Sequence, residues 1–166
     1  MSKLAQELVA RDNGAASASI ARAFNHFGPR QDPFFATSGF ARRIADIEAG
    51  RAPAEIAVGN LDARRDLTDV RDTVRAYRAI MDGGRPERVY NVCSGRAIQI
   101  GELLDMLLAR ARTSVRIKID PARYRPHDDP VIVGDPKRIR EELGWSPAIP
   151  TEQTVEDLLF FWRHRS

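Results

Sequence analysis

The stretch EIAVGNLDARRDLTDVRDTVRAYRAIM, residues 55–81, decides the fold class, because two kinds of element follow each other within it. EIAV is a short apolar run of the kind found in buried strands. Further on, apolar residues recur at helical spacing and predict a helix over 69–82: Val70, Val74, Tyr77 and Met81. Between them, residues 59–72 carry seven charged side chains in fourteen residues. Leu61 and Leu67 interrupt this charge as they would in a half-buried strand.

The same alternation of strands and helices extends over the rest of the chain. Strands are predicted at 16–24, 55–58, 89–94 and 116–120, and residues 25–33, NHFGPRQDP, are predicted to form a loop. Helices are predicted at 2–12 and 34–49, from Ile100, between Asp135 and Gly144, and from Thr151. Trp145 and Trp162 are interpreted as core residues. Alternating elements of this kind predict an α/β fold.

Composition excludes several classes of protein. The chain has 166 residues, of which 43% are hydrophobic and 30% charged, as in a globular domain. No apolar run is long enough to span a membrane, and the first residues, MSKLAQELVARD, lack the apolar core of a signal peptide. We therefore expect a cytoplasmic protein with no membrane partner. The single cysteine, Cys93, excludes an intrachain disulfide, and the three histidines do not have metal-ligand spacing.

The positive charge does not indicate a nucleic-acid partner. The net charge is +3, with 23 arginines against three lysines. The arginines are scattered and interleaved with Asp and Glu, without a basic block or interleaved aromatic residues. We expect no nucleic-acid binding.

Common nucleotide-binding and nucleophile motifs are missing from these residues. No Gly-x-Gly-x-x-Gly follows a predicted strand, and no Gly-x-x-x-x-Gly-Lys-Ser/Thr occurs. There is no Gly-x-Ser-x-Gly, and no cysteine is paired with a suitable histidine. Arginines and an Asn-His pair at predicted strand ends and loops are the remaining candidates for ligand contact.

Five ordered segments resemble one family: SKLAQEL, ARAFNHFGPRQ, VGNLDARRDLTDVRDTVRAY, VYNVCSG and YRPHDDPVIVGDPKRIREELGW. The series is similar to the extended short-chain dehydrogenase/reductases that act on nucleotide sugars, within them most to the GDP-4-keto-6-deoxy-D-mannose reductases. The GDP-mannose 4,6-dehydratases share the Phe-Asn-His and Gly-Asn-Leu strings. They typically continue Arg-Asp-Trp-Gly-His, however, where this chain has Leu67, Thr68 and Asp69 after Arg-Asp.

The resemblance implies a fold and a function. Residues 1–166 would be one C-terminal fragment, combining the last strands and helices of a Rossmann-type sheet with the substrate-binding α/β region. The N-terminal cofactor-binding half would be absent. The implied function is GDP-sugar binding for an NADP(H)-dependent reductase of GDP-rhamnose biosynthesis, inactive without that half. A fragment of a dehydratase or epimerase and a non-catalytic nucleotide-sugar module are the alternatives. The implied protein partner is the missing half or a second copy.

Lys3 is the catalytic residue that the resemblance implies. It matches the lysine of the family's Tyr-x-x-x-Lys motif, in which the lysine lowers the pKa of a proton-donating tyrosine. The tyrosine would therefore precede Met1. The alternative is that Lys3 is a solvated charge.

Arg65 and Arg125 match arginines that hold the substrate pyrophosphate in the family. A planar, multidentate donor suits this task better than lysine does. Asp66 and Asp69 would orient Arg65 or cap the following helix. The alternative is that Arg64 and Arg65 are surface charges paired with Asp62 and Asp66, and for Arg64 this is the preferred interpretation.

Four further residues are carried over as substrate-binding candidates by the same resemblance: Asn25, His26, Asn60 and Asp128. The Asn25 amide can donate and accept a hydrogen bond at once. Its alternative role is in a turn, and the alternative for His26 is a structural histidine.

Overall fold

The computed structural model describes residues 3–12, 18–124 and 129–165. The helices are α1 (Lys3–Asp12), α2 (Ala36–Glu48), α3 (Val70–Gly83), α4 (Ile100–Leu108), α5 (Lys137–Leu143) and α6 (Thr151–Arg163). The strands are β1 (Ile20–Ala23), β2 (Asn25–Phe27), β3 (Glu55–Val58), β4 (Arg64–Asp69), β5 (Val89–Val92), β6 (Ala97–Gln99), β7 (Arg116–Ile119) and β8 (Val131–Ile132). A single 3₁₀ turn covers Pro121–Arg123.

Strand β4 is the centre of a mixed four-stranded sheet. Its first half pairs with β6 in antiparallel and with β8 in parallel orientation, whereas its second half pairs with β2 in parallel orientation. Two further pairs, β1 with β5 and β3 with β7, are parallel two-stranded sheets. β4 therefore connects Arg65 to the strand that carries Asn25 and His26.

Two hydrophobic clusters stabilise these sheets. The larger one joins α2, α4 and α6 to β3, with Ile44, Leu104 and Leu158 fully buried. The smaller one covers β5 and includes Tyr90 and Trp145. Trp162 belongs to the larger cluster, so the prediction that both tryptophans are core residues is confirmed.

Three short strands were missed by the sequence prediction. β2 lies within residues 25–33, which were predicted to be a loop, and β6 and β8 were not predicted at all. Each has two or three residues, too few for a period of two to be recognisable. Their hydrogen-bonding partners on β4, which are distant in sequence, hold them in extended conformation.

Helix α3 forms where it was predicted, but its apolar stripe faces outward. Val74 and Met81 are 60% and 83% exposed, whereas Asp72 is fully buried. The Asp72 carboxylate accepts hydrogen bonds from the backbone amides of Ala148 and Ile149, each at 2.9 Å. Because these amides stabilise a buried carboxylate, the helix turns its polar and small residues inward.

Within the described ranges, no helix is long and apolar enough to cross a membrane.

Candidate functional site

Alternation along β4 separates the two residues at the centre of the predicted site. Successive side chains of a strand point to opposite faces of the sheet. Arg65 is half-buried and contacts the segment that contains β8, whereas Asp66 is fully buried and faces β5 and the turn after it. The alternative that Asp66 is paired with Arg65 is therefore wrong.

Arg65 is held by main-chain carbonyl groups. Its Nη1 donates to the carbonyl oxygens of Arg64 and Asp129, both at 2.8 Å. The Arg64 amide donates to the Pro130 carbonyl, also at 2.8 Å, and Arg65 lies opposite Ile132 in the ladder. A guanidinium anchored in this way at one nitrogen keeps its position on β4.

Arg64 is a surface residue, as preferred from the sequence, although not with the predicted partner. Its Nη2 donates to the Ala97 carbonyl at 3.2 Å, and its Nη1 lies 4.0 Å from Glu102. The predicted partner, Asp62, accepts instead from the side-chain amide of Gln99 at 3.0 Å. The exposed 4.0 Å contact between Arg64 and Glu102 contributes little to stability.

Asp66 is fully hydrogen-bonded without a cation. One carboxylate oxygen accepts from the amide and hydroxyl of Ser94 at 2.7 and 2.6 Å. The other accepts from the amides of Gly95 and Gly134 at 2.9 and 3.2 Å. This carboxylate thus joins β4 to two loops that are distant in sequence.

Asp69 caps α3, which confirms the capping alternative for this residue. Its side chain accepts from the Arg71 amide at 2.7 Å, from the Arg71 guanidinium at 2.9 and 2.7 Å and from the Thr154 hydroxyl at 2.7 Å. Burial favours a higher pKa for Asp69, but the hydrogen bonds from Arg71 and Thr154 outweigh it and lower the pKa. Asp69 remains charged and fixes the β4–α3 junction to α6.

Strand β2 brings Asn25 and His26 next to β4. Asn25 lies opposite Leu67, two residues beyond Arg65, and is exposed. The described residues make no hydrogen bond to the side-chain amide of Asn25. His26 is exposed too, and its Nδ1 lies 3.3 Å from the Phe24 carbonyl oxygen. The structure therefore places Asn25 on the strand adjacent to Arg65, with its amide available.

Asn60 has a local role in a turn. Its Oδ1 accepts from the Asp62 amide at 2.9 Å, which leaves the NH₂ of its side chain for other contacts. The neighbouring Gly59 lies so close to the Arg123 carbonyl that a Cβ there would be 2.6 Å from this oxygen. The approach brings the 59–60 turn against the 3₁₀ turn at Pro121–Arg123.

The structure brings together only part of the predicted site. Lys3 is the first residue of α1 and is exposed. Helix α1 is attached to β1 through a two-pronged ion pair of Arg22 with Glu7, at 2.8 and 2.6 Å. Arg125 and Asp128 lie outside the described residues.

Two further features were not evident from the sequence. Burial and the nearby Asp66 carboxylate raise the pKa of the Cys93 thiol to about 12, so this cysteine stays protonated at neutral pH.

An open cleft of about 510 Å³ contains none of the predicted site residues. It is lined by Pro29, Arg71, Asp157, Phe160, Phe161, His164 and Arg165. Among the residues that the structure describes, no cluster of His, Cys, Asp or Glu has the geometry of a metal site.

Sequence comparison relates the chain to enzymes of nucleotide sugars. A family model described as GDP-mannose 4,6 dehydratase matches residues 1–158. GDP-6-deoxy-D-mannose reductase from Pseudomonas aeruginosa is 36% identical over 146 residues, covering 88% of this chain and 48% of that protein. GDP-mannose 4,6 dehydratase 2 from Caenorhabditis elegans is 27% identical over 154 residues, covering 82% of this chain and 40% of that protein. The chain thus spans about half the length of these curated relatives.

Structural comparison gives the same relationship. The structure of RMD from Pseudomonas aeruginosa complexed with NADPH matches 99% of this chain and 55% of that chain, with 33% identity and a TM-score of 0.92. UDP-glucose 4-epimerase from Thermotoga maritima, solved with UDP-glucose, matches 96% of this chain and 50% of that chain, with 26% identity and a TM-score of 0.78. These matches confirm the predicted α/β fold.

Proposed function

Because the chain belongs to the GDP-mannose 4,6 dehydratase family of extended short-chain dehydrogenase/reductases, we propose that it binds the GDP-sugar of an NADP-dependent GDP-4-keto-6-deoxy-D-mannose reductase. Residues 1–166 would form the C-terminal, substrate-binding part of that enzyme, which acts in GDP-rhamnose biosynthesis. The identity of 36% to a reductase, against 27% to a dehydratase, supports this choice. So does Leu67-Thr68-Asp69 after Arg-Asp, in place of the typical dehydratase Trp-Gly-His.

The anchoring of Arg65 is the observation that carries the proposal. Pyrophosphate recognition needs a permanently charged, multidentate donor whose position does not depend on the ligand. Arg65 meets this need, since it is half-buried and two backbone carbonyls hold its Nη1. Arg64, its neighbour, is exposed and more weakly held.

The other candidate residues complete the proposed contacts. The Asn25 amide, on the strand next to β4, would bond the sugar, and the NH₂ group of Asn60 is available from the 59–60 turn. Arg125 would be the second arginine on the pyrophosphate, and His26 and Asp128 would lie at the same site. These roles follow from the family resemblance, together with the placement of Asn25 on the strand next to Arg65.

The NADP(H) that such a reductase uses does not fit the residues of this chain. A dinucleotide pyrophosphate is normally held by a glycine-rich turn at a helix N-terminus, and the sequence has no such turn. We therefore propose that a cofactor-binding part accompanies this chain, either within a longer protein or as a separate chain. Within that assembly, Lys3 would serve as the lysine of Tyr-x-x-x-Lys.

The matching family model gives a second candidate function, because its description is that of a dehydratase. A dehydratase fragment would bind GDP-mannose at the same arginine. The two functions differ in the reaction at the sugar, which is reduction of a keto group in one case and dehydration in the other. The substrate-binding part alone would perform neither reaction. Products distinguish them directly.

The experiment has two arms. In the first, the 166-residue chain is titrated with GDP and with NADPH, and we expect binding of GDP and no tight binding of NADPH. In the second, the chain is joined to the N-terminal half of the Pseudomonas reductase and given, in separate reactions, GDP-4-keto-6-deoxy-D-mannose with NADPH and GDP-mannose with NADP⁺. GDP-rhamnose, formed by reduction of the keto sugar, is the expected product. Dehydration of GDP-mannose would instead favour the second function. Absence of GDP binding in the first arm, together with absence of turnover in the second, would contradict the proposal.

A further inference from the structure

The buried carboxylate of Asp66 has contacts that a simple core residue does not need. Asp66 is 0% exposed and accepts four hydrogen bonds, all from residues outside its own strand. Three donors are backbone amides and one is a hydroxyl. A buried carboxylate is costly unless it is fully hydrogen-bonded, and these donors satisfy it without an ion pair.

The donor from Gly134 links Asp66 to the segment that anchors Arg65. This segment, residues 129–134, provides the Asp129 carbonyl that accepts from the Arg65 guanidinium at 2.8 Å. Its other end provides the Gly134 amide that donates to Asp66 at 3.2 Å. Between these ends, Ile132 lies opposite Arg65 in the ladder with β4. One short segment is therefore held at one end by Asp66 and at the other by Arg65.

Packing leaves the Gly134 end little freedom to shift. A Cβ at Gly134 would lie 2.6 Å from the Cys93 sulfur and 2.7 Å from the Phe24 ring. Side-chain atoms do not approach so closely, so the backbone of the segment is seated directly against these two residues. A change in the carboxylate of Asp66 is therefore expected to be transmitted along the segment toward Asp129.

We infer that Asp66 is a positioning residue for pyrophosphate binding: its carboxylate sets the place of segment 129–134, and that segment sets the place of the Arg65 guanidinium. The inference rests on the proposed function, because it takes Arg65 as a pyrophosphate ligand. Asp66 itself does not touch the ligand. It acts only through the backbone that holds Arg65.

A double-mutant cycle on the 166-residue chain tests this inference, with GDP and guanosine as probes and affinities measured by NMR titration. Asp66→Asn keeps the shape of the side chain but gives up one acceptor oxygen and the charge. We expect a roughly five- to tenfold loss of GDP affinity, and little change for guanosine, which has no phosphate. In an Arg65→Ala background, Asp66→Asn should cause less than about a twofold further loss, because residues that act as a unit are non-additive.

Asp72→Asn is the matched control. Asp72 is also 0% exposed and accepts two backbone amides, but these belong to residues 148 and 149 rather than to the segment next to Arg65. We expect Asp72→Asn to lower the melting temperature and to leave GDP affinity unchanged. Should Asp66→Asn not fold, Ser94→Ala takes its place, since it removes only the hydroxyl that donates to Asp66 at 2.6 Å. We expect about a twofold to fourfold loss of GDP affinity from this milder change.

The outcomes separate this inference from the proposed function. If Arg65→Ala leaves GDP affinity unchanged, the pyrophosphate assignment fails, and the inference with it. If Arg65→Ala weakens GDP binding but Asp66→Asn does not, or if the two losses add, only the positioning role is overturned. Equal losses for GDP and guanosine would likewise overturn it, because they would reflect general loosening of the fold.

Discussion

Arg65 and Asp66 are adjacent in sequence, yet they hold opposite ends of the same segment, residues 129–134. Arg65 donates to the carbonyl of Asp129 and Asp66 accepts from the amide of Gly134. Alternation along β4 makes this arrangement possible, because it sends the two side chains to opposite faces of the sheet. Of these two adjacent charged residues, Arg65 is therefore only half-buried, whereas Asp66 is fully buried.

The ion pair between Glu48 and Arg163 should make stability depend on pH. Arg163 donates to both carboxylate oxygens of Glu48 at 2.7 Å, and the side chains are only 18% and 7% exposed, respectively. The hydrogen bond from Arg163 holds the pKa of Glu48 below its ordinary value near 4.5, against the opposing effect of burial. The folded-state pKa is thus below the unfolded one. The contribution is complete above the unfolded-state value and is lost as the pH falls through the folded-state value.

Glu48→Gln tests this linkage. Urea unfolding near neutral pH should show a loss of about 2–3 kcal/mol, somewhat below the range for fully buried pairs that lose one partner. The difference between the native chain and the variant should shrink as the pH is lowered below about 4. Asp82→Asn is a suitable control, because Asp82 pairs with Arg78 on an exposed helix face. A difference that stays constant with pH would contradict the assignment.

The Asp69 cap should contribute more to the free energy of unfolding than the neighbouring surface pair of Asp157 with Arg71. Asp69→Ala removes the cap of α3 and the bond from the buried Thr154 hydroxyl, so we expect a loss of about 2–4 kcal/mol in the free energy of unfolding. Asp157 pairs with the same Arg71 at 2.7 Å, but Arg71 is 47% exposed. Asp157→Ala should therefore cost about 1 kcal/mol or less. Equal losses in denaturant unfolding would show that the cap has no special weight.

Cys93 should be unreactive in the folded protein. Its side chain is fully buried and its thiol pKa is raised to about 12, so both access and thiolate are lacking at neutral pH. Labelling with a thiol reagent at pH 7.5 should be slow without denaturant and rapid in denaturing urea. Rapid labelling of the folded chain would mean that β5 is not covered as described.

The outward-facing stripe of α3 should tolerate polar substitution. Met81 is 83% exposed, whereas the adjacent Ile80 is 7% exposed and belongs to the smaller hydrophobic cluster. Met81→Gln should change the free energy of unfolding by less than about 0.5 kcal/mol, and Ile80→Ala should lower it by about 2–4 kcal/mol. Thermal and urea unfolding of the two variants provide the comparison. The reverse order would support the helix face predicted from the sequence.

Local signals in the sequence predicted much of the fold. The α/β class and all six helices follow from hydrophobic periodicity and from end signals such as Gly144, which adopts a left-handed conformation after α5. The inward face of α3 does not follow, because it depends on the amides of Ala148 and Ile149, more than seventy residues away. Short strands such as β8 depend in the same way on a distant partner.

The sequence predicted which residues belong to the candidate site, but not which contacts they make. The family resemblance directed attention to Arg65 and Asn25, which the structure places on adjacent strands. The sequence did not reveal that Asp66 faces away from Arg65, because its donors, Ser94 and Gly134, belong to loops distant along the chain. Charge proximity in sequence left an ion pair open as the alternative, whereas strand geometry excluded it.

The proposed role of Arg65 as a pyrophosphate ligand is tested by the GDP affinity of Arg65→Ala compared with that of Arg64→Ala. The two arginines are neighbours with the same charge, but only Arg65 is half-buried and anchored to the Asp129 carbonyl. With the cofactor-binding half restored, Arg65→Ala should weaken GDP binding roughly ten- to a hundredfold. Arg65→Lys should recover only part of this loss, and Arg64→Ala should change affinity less than about threefold. Small and equal losses at both positions would contradict the claim.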